Sequence, residues 1–161
     1  MIETGVAQGI STYFILKAMN DNRKGRLISI DYPNRNPEGY VDESGKQDNV
    51  YLPHGLEPGW IIPFDSTLRN RWTLYIGRSM DVLPKLQYQD IDAFFHDSDH
   101  SYFNMKRELA WAAMNMKSGI IIADDTQLNG AWDEFSARPC MRRIPSPISA
   151  VEISQGSKVL Q

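Results

Sequence analysis

An acid and two glycines open this chain, Glu3-Thr4-Gly5-Val6-Ala7-Gln8-Gly9, and they run straight into a helical pattern at Ile10-Ser11-Thr12. A strand, a glycine turn and a helix in that order begin a parallel sheet, whose strands are joined by crossover helices. Gly5 and Gly9 can take backbone angles closed to residues with a Cβ, and they let main chain approach a ligand at the mouth of such a sheet. The spacing narrows the ligand. A dinucleotide fingerprint would read G-x-G-x-x-G, with a third glycine so that a helix N-terminus can receive a pyrophosphate. Here the pattern is acid-x-Gly-x-x-x-Gly, which suits a nucleoside cofactor without a pyrophosphate. A plain connecting turn is the competing reading.

The next acid supports the cofactor. Leu27-Ile28-Ser29-Ile30-Asp31 is an apolar run ending in a carboxylate, about twenty residues past the glycine turn, where a nucleotide-binding βαβ unit places an acid to accept ribose hydroxyls. Asp31 is the expected ribose ligand; a solvated acid at a strand end is the alternative.

Composition bounds the rest. The 161 residues form one domain, 1–161, with no room for a second. Seventeen basic against twenty acidic residues and a net charge of -3 leave no basic stripe for nucleic acid. Cys140 is the single cysteine. It excludes an intramolecular disulfide and a Cys-based zinc site, and it suits a reducing compartment. Apolar runs such as Ile120-Ile121-Ile122-Ala123 are too short to span a bilayer, and no basic-then-apolar export signal stands at the start, so the expectation is a cytoplasmic protein without a membrane partner.

Strands are expected at 1–4, 27–31, 72–76, 91–96, 119–124 and 148–153, with a further one at 158–160. Helices are expected at 11–19, 80–86, 102–116 and 131–137. The fold class is α/β. Between Tyr32 and Pro63 lie five prolines and four glycines. A structureless insertion at about 32–63 reads equally as a substrate lid or as a loop covering a sheet edge.

Phe94-Phe95-His96-Asp97-Ser98-Asp99-His100-Ser101-Tyr102 places carboxylates and imidazoles directly after a strand, and Ala123-Asp124-Asp125 does the same after the next. Carboxylates gathered at one sheet end repel one another unless a cation, a proton or hydrogen-bond donors compensate. Oxygen ligands suit Mg²⁺ or another divalent ion, with Asp97, Asp124 and Asp125 as its candidate ligands. His100 is the candidate base, since imidazole titrates near neutrality; capping the next helix or bonding an aspartate is its alternative role. Asp99 or Ser101 is expected to cap that helix. The tryptophans are expected to pack in core or rim.

From Glu3 to about Phe135 these motifs resemble the class I S-adenosylmethionine-dependent methyltransferases. The Asp-x-Asp-His-Ser-Tyr segment Asp97–Tyr102 and the acidic pair Asp124-Asp125 are similar to those of the catechol and macrolide-sugar O-methyltransferase branch. The resemblance implies a Rossmann-like, mostly parallel sheet with an antiparallel strand near the C-terminus. It also implies cofactor contacts at Glu3, Gly5, Gly9, Ser11, Asp31, Ser79 and Asp97, and metal ligation by Asp97, Asp124 and Asp125. Arg78 stands where that family often has an acid for adenine, so Ser79 is expected to contribute through its backbone. In the resembled fold further helices precede the first strand, so the start at Met1 reads as a trimmed chain or a missing N-terminal cap. The implied activity is divalent-metal-assisted O-methylation of a small hydroxylated acceptor by a chain that can self-associate into a homo-oligomer. The alternatives are a non-catalytic nucleoside-cofactor-binding protein, a nicotinamide-dependent oxidoreductase, or a metal-dependent hydroxylase-like relative.

Overall fold

The computed structural model describes residues 1–35, 40–41, 47–48, 52–64, 66–87, 90–145 and 148–153. Its main sheet is built from β1 (Ile2–Thr4), β2 (Leu27–Asp31), β5 (Trp72–Ile76), β6 (Ala93–His96), β7 (Gly119–Ala123), β8 (Met141–Arg143) and β9 (Ser149–Ile153). The spatial order is β5-β2-β1-β6-β7-β9-β8. The first five run parallel, while β9 is antiparallel to both β7 and β8. From β1 the chain builds outward to β2 and β5 on one side, then returns to lay β6 and β7 on the other. That reversal leaves a crevice beyond the carboxyl ends of β1 and β6, the usual ligand position in open α/β sheets.

Two apolar layers cover the sheet. α3 (Tyr102–Asn115) buries Met105, Leu109 and Ala112 at helical spacing and packs with Ile2, Phe94 and Ile121. α4 (Ala131–Ser136) adds Trp132 and Phe135 to the same core, where Trp111 also lies, as expected for packing tryptophans. On the opposite face α1 (Ile10–Asp21) contributes Leu16 to a smaller cluster with Leu27, Ile62 and Leu68. A short α2 (Ser79–Val82) follows β5.

The expected elements recur with small shifts: α1 begins at Ile10 and continues to Asp21, and β6 starts at Ala93. One strand of the main sheet was not expected. β8 exposes Arg142 and Arg143 and buries Met141 alone, so it lacks an alternating apolar signature and exists through its ladder with β9. The insertion also differs from a structureless run, because β3 (Tyr40–Val41) and β4 (Gln47–Asp48) pair antiparallel within it. Ile62, near the insertion's end, is only 1% exposed and belongs to the α1 core. The strand expected at 158–160 lies outside the described residues. Among the described residues no helix is long and apolar enough to cross a membrane.

Candidate functional site

Sheet register places the candidate residues side by side. Thr4 pairs with Ile30 and His96, and His96 pairs with Ala123, so the next residues, Gly5, Asp31, Asp97 and Asp124, emerge at one level from four adjacent strands. Main-chain bonds continue the ladder past the strand ends: Gly5 N–H donates to the Ile30 carbonyl at 2.9 Å, Asp97 N–H to Thr4 at 2.9 Å, and Asp124 N–H to His96 at 2.9 Å.

The glycine turn is folded around acids. Val6 and Ala7 N–H both donate to Asp31 Oδ2, at 2.7 and 2.9 Å. Asp31 therefore shapes the loop through Oδ2, and among the described residues no hydrogen bond falls on its Oδ1. Burial pushes the Asp31 carboxyl up, opposed by the Ala7 and Val6 N–H groups and by the Arg35 charge. Glu3 lies behind the loop, fully buried, and accepts from Ser11 Oγ at 2.9 Å, Thr12 Oγ1 at 2.8 Å and Ser29 Oγ at 2.6 Å. Burial raises its carboxyl against those three bonds, and Asp31 adds repulsion. Glu3 thus ties β1 to β2 and to the first turn of α1.

Both glycines are required by neighbouring backbone. Gly5 has φ 84°, and a Cβ there would stand 1.8 Å from the Asp97 carbonyl oxygen. Gly9 has φ 99° and precedes α1, and its Cβ would meet Gly59 Cα at 2.6 Å. Gly59 N–H donates to the Ala7 carbonyl at 3.0 Å and Ile61 N–H to the Gln8 carbonyl at 3.4 Å. The close approaches are therefore loop against loop: the segment after β6 presses on Gly5, and the end of the insertion presses on Gly9.

After β6 the acidic loop turns towards α3. Ser101 is the N-cap, its Oγ accepting from Asn104 N–H at 3.4 Å, and Asp99 receives Ser101 N–H at 2.9 Å. Of the two cap candidates, Ser101 takes the position and Asp99 braces it. His100 is half-buried, with Nε2 3.9 Å from both Asp97 Oδ1 and Asp125 Oδ2, and its ring meets His96 edge-on at 5.4 Å. Asp97 is pushed up to about 7, first by burial and then by repulsion from Asp124, Glu3 and Asp125, with His96 opposing. Asp124 is exposed, and Asp125 takes a left-handed φ of 49°.

The three aspartates test differently on donor type and on arrangement. Hard oxygen donors and excess negative charge suit a divalent cation. Among the described residues, however, no three His, Cys, Asp or Glu side chains stand together as a metal-holding group.

Beneath this loop lies a buried polar cluster that sequence spacing does not reveal. Glu108 of α3 is fully buried and accepts from Thr4 Oγ1 at 2.5 Å, Ser98 Oγ at 2.8 Å and Asn104 Nδ2 at 3.1 Å, with His96 Nδ1 at 2.7 Å. Burial is the largest influence on its carboxyl and acts upward, but the His96 bond and charge together with the hydroxyl donors outweigh it and leave it lowered. Glu108 thereby joins β1, the end of β6, the acidic loop and α3 at one point.

A cleft of about 840 Å³ runs from these strand ends along the α1 face of the sheet as far as Met1, lined by Ala7, Ser11, Phe95, Asp97, Ile122 and Asp124 among others. Of the expected site residues, Ser11, Asp97 and Asp124 line it; Glu3 and Asp31 stand behind the glycine turn, and His100 and Asp125 sit to one side. Ser79 opens α2, with Oγ 3.5 Å from Asn104 Oδ1.

Solved structures share this architecture. The chain is similar to the O-methyltransferase NovP (TM-score 0.67, 16% identity, covering 98% of this chain and 72% of that one). It is also similar to cofactor-bound Rv0187 from MTB (TM-score 0.65, 16% identity, 97% and 72%). A methyltransferase from Geobacter sulfurreducens aligns with a TM-score of 0.60 at 16% identity, over 95% and 70%. Among curated proteins no match is found. A family model described as "Methyltransferase domain" matches residues 2–126, from the first strand through the acidic pair after β7, and with the glycine turn, Asp31 and Asp97 all inside that span the chain belongs to the methyltransferase-domain family.

Proposed function

We propose that this chain transfers a methyl group from S-adenosylmethionine to a hydroxyl oxygen of a small molecule. The alignment of Gly5, Asp31, Asp97 and Asp124 on four neighbouring strands, with a cleft opening beside them, carries the reading. Bound S-adenosylmethionine supplies an already electrophilic sulfonium methyl, so the chain's task is to orient an oxygen nucleophile and remove its proton. Asp31 is the ribose acceptor through Oδ1, because Oδ2 is taken by Val6 and Ala7. His100 accepts the acceptor's proton at Nε2, where Asp97 and Asp125, each 3.9 Å away, compensate the charge it gains. Asp97, Asp124 and Asp125 would hold a divalent cation, which supplies Lewis-acid activation of the hydroxyl. The same reading places the protein in the cytoplasm with a small-molecule partner and a homo-oligomeric assembly, and without nucleic acid or membrane.

Calorimetric titration with S-adenosylhomocysteine and, in parallel, NAD(H) tests it, each with and without Mg²⁺. Saturable binding of S-adenosylhomocysteine alone supports the reading; NAD(H) binding in its place favours an oxidoreductase, and binding of neither removes the cofactor argument. Asp124→Ala should abolish any Mg²⁺-dependent turnover while leaving cofactor affinity nearly intact, and metal-independent turnover would remove the Lewis-acid role.

A further inference from the structure

Two backbone segments meet beside the cleft, and one buried carboxylate holds both. The Asp97 carbonyl lies so close to Gly5 that a Cβ there would stand 1.8 Å from its oxygen. Thr4, directly before Gly5, donates from Oγ1 to Glu108 Oε2 at 2.5 Å. His96 and Ser98, on either side of Asp97, meet Oε2 at 2.7 Å and Oε1 at 2.8 Å. Glu108 therefore grips the residues next to each partner of that contact. Asn104, one turn earlier on α3, braces the same loop: its Nδ2 donates to Glu108 Oε1 and Ser98 Oγ, both at 3.1 Å, and to the Asp99 carbonyl at 2.9 Å. Among the described residues His96 Nε2 has no partner, so the Glu108 bond at Nδ1 fixes a ring that stands edge-on to His100. A longer arm reaches the start of α2, where Ser79 Oγ is 3.5 Å from Asn104 Oδ1.

Stability alone does not call for such a cluster. Buried ionic groups can be exchanged for packed hydrocarbon of similar volume with little loss or with a gain. What a carboxylate supplies and hydrocarbon lacks is direction, since each of its oxygens sets the place of the donors around it.

We propose that Glu108 is a positioning residue for the amino-acid end of the cofactor, holding the glycine turn and the Asp97 loop at the spacing that receives it. This rests on the methyl-transfer reading. With the ribose at Asp31 on β2 and the transferable methyl directed to His100 beside Asp97, the sulfur and its amino-acid chain lie over β1 and β6, where Gly5 and Asp97 meet. The ribose end has separate support, because Asp31 is held in the ladder of β2 with β5 and by the Val6 and Ala7 N–H groups.

Two probes separate the ends. S-adenosylhomocysteine carries the amino-acid chain, and 5′-methylthioadenosine has a methyl group in its place. Both are titrated calorimetrically into the full chain as wild type, Glu108→Gln and Ser98→Ala, with Ile121→Val as a core control of modest cost on β7. Wild type should bind S-adenosylhomocysteine more tightly than the truncated probe. Glu108→Gln and Ser98→Ala should weaken S-adenosylhomocysteine about tenfold, the worth of one hydrogen bond to a charged group, and 5′-methylthioadenosine less than about twofold. Ile121→Val should leave the ratio of the two affinities unchanged, and Ser98→Ala decides the matter if Glu108→Gln does not fold. Equal weakening of both probes, unchanged affinity for S-adenosylhomocysteine in the variants, or no preference between the probes in wild type overturns the proposal and leaves the cofactor reading in place. Wild type that binds neither probe overturns both.

Discussion

Replacing Gly5 by alanine separates a glycine needed by a ligand from one needed by the fold. At φ 84° a residue with a Cβ pays a conformational cost of about 1–2 kcal/mol. The new Cβ would also lie 1.8 Å from the Asp97 oxygen and 2.4 Å from its carbonyl carbon. Both atoms are main chain, so the loop after β6 must shift, and overpacking of this kind costs about 1–3 kcal/mol more. The sum, about 2–5 kcal/mol, corresponds to a fall in Tm of roughly 5–20 °C for a domain of this size. Gly55 supplies the control. Its φ is 87°, but a Cβ there would have nothing within 4 Å, so Gly55→Ala should carry the conformational cost alone. Urea melts of both variants without ligand make the comparison. Equal destabilisation of the two, joined to selective loss of S-adenosylhomocysteine affinity in Gly5→Ala, would refute the loop-contact account and return Gly5 to the ligand.

Other substitutions probe the acids. Glu108→Gln places an amide among donors that meet a carboxylate, so it should destabilise the protein by about 2–4 kcal/mol in urea melts; a loss under 0.5 kcal/mol would show that the cluster is dispensable. Because the Glu108 carboxyl is lowered in the fold, its contribution is present above the unfolded carboxylate range and disappears as pH falls through the folded value, so Glu108→Gln and wild type should converge in acid. Asp97 has the opposite sign. Raised to about 7, it makes the folded state bind the extra proton, and its contribution declines as pH rises from about 4 to 7. Asp97→Asn should accordingly raise Tm at pH 8 and change little at pH 4, and a uniform shift across pH would contradict the assignment. Millimolar Mg²⁺ at pH 8 should raise the Tm of wild type and not that of Asp97→Asn, since a ligand bound by the folded state alone stabilises it; an equal rise in both removes Asp97 from the cation site.

Strands β2, β6 and β7 were readable because each is a short, largely apolar run that ends at or just before an acid, and in this fold those ends become the crevice. Asp31, Asp97 and Asp124 could be marked from the sequence for that reason. The partners of Glu3 and Glu108 could not. Thr4 and Glu108 are 104 positions apart and meet only after sheet order has set β6 beside β1 and α3 against both. The two glycines were recognisable as turn residues, but their neighbours, Asp97 and Gly59, belong to loops whose approach no local pattern encodes. β8 escaped for a related reason: two of its three residues are exposed arginines, and only pairing with β9 defines it.

The meeting of Gly9 with Gly59 makes the long insertion a structural dependant of the turn at the head of α1. Anyone grafting a foreign segment between β2 and β5 to redirect selectivity would have to keep a residue without a side chain where the graft crosses that turn. Otherwise the transplanted loop would lift off, carrying Ile62 out of the α1 core with it.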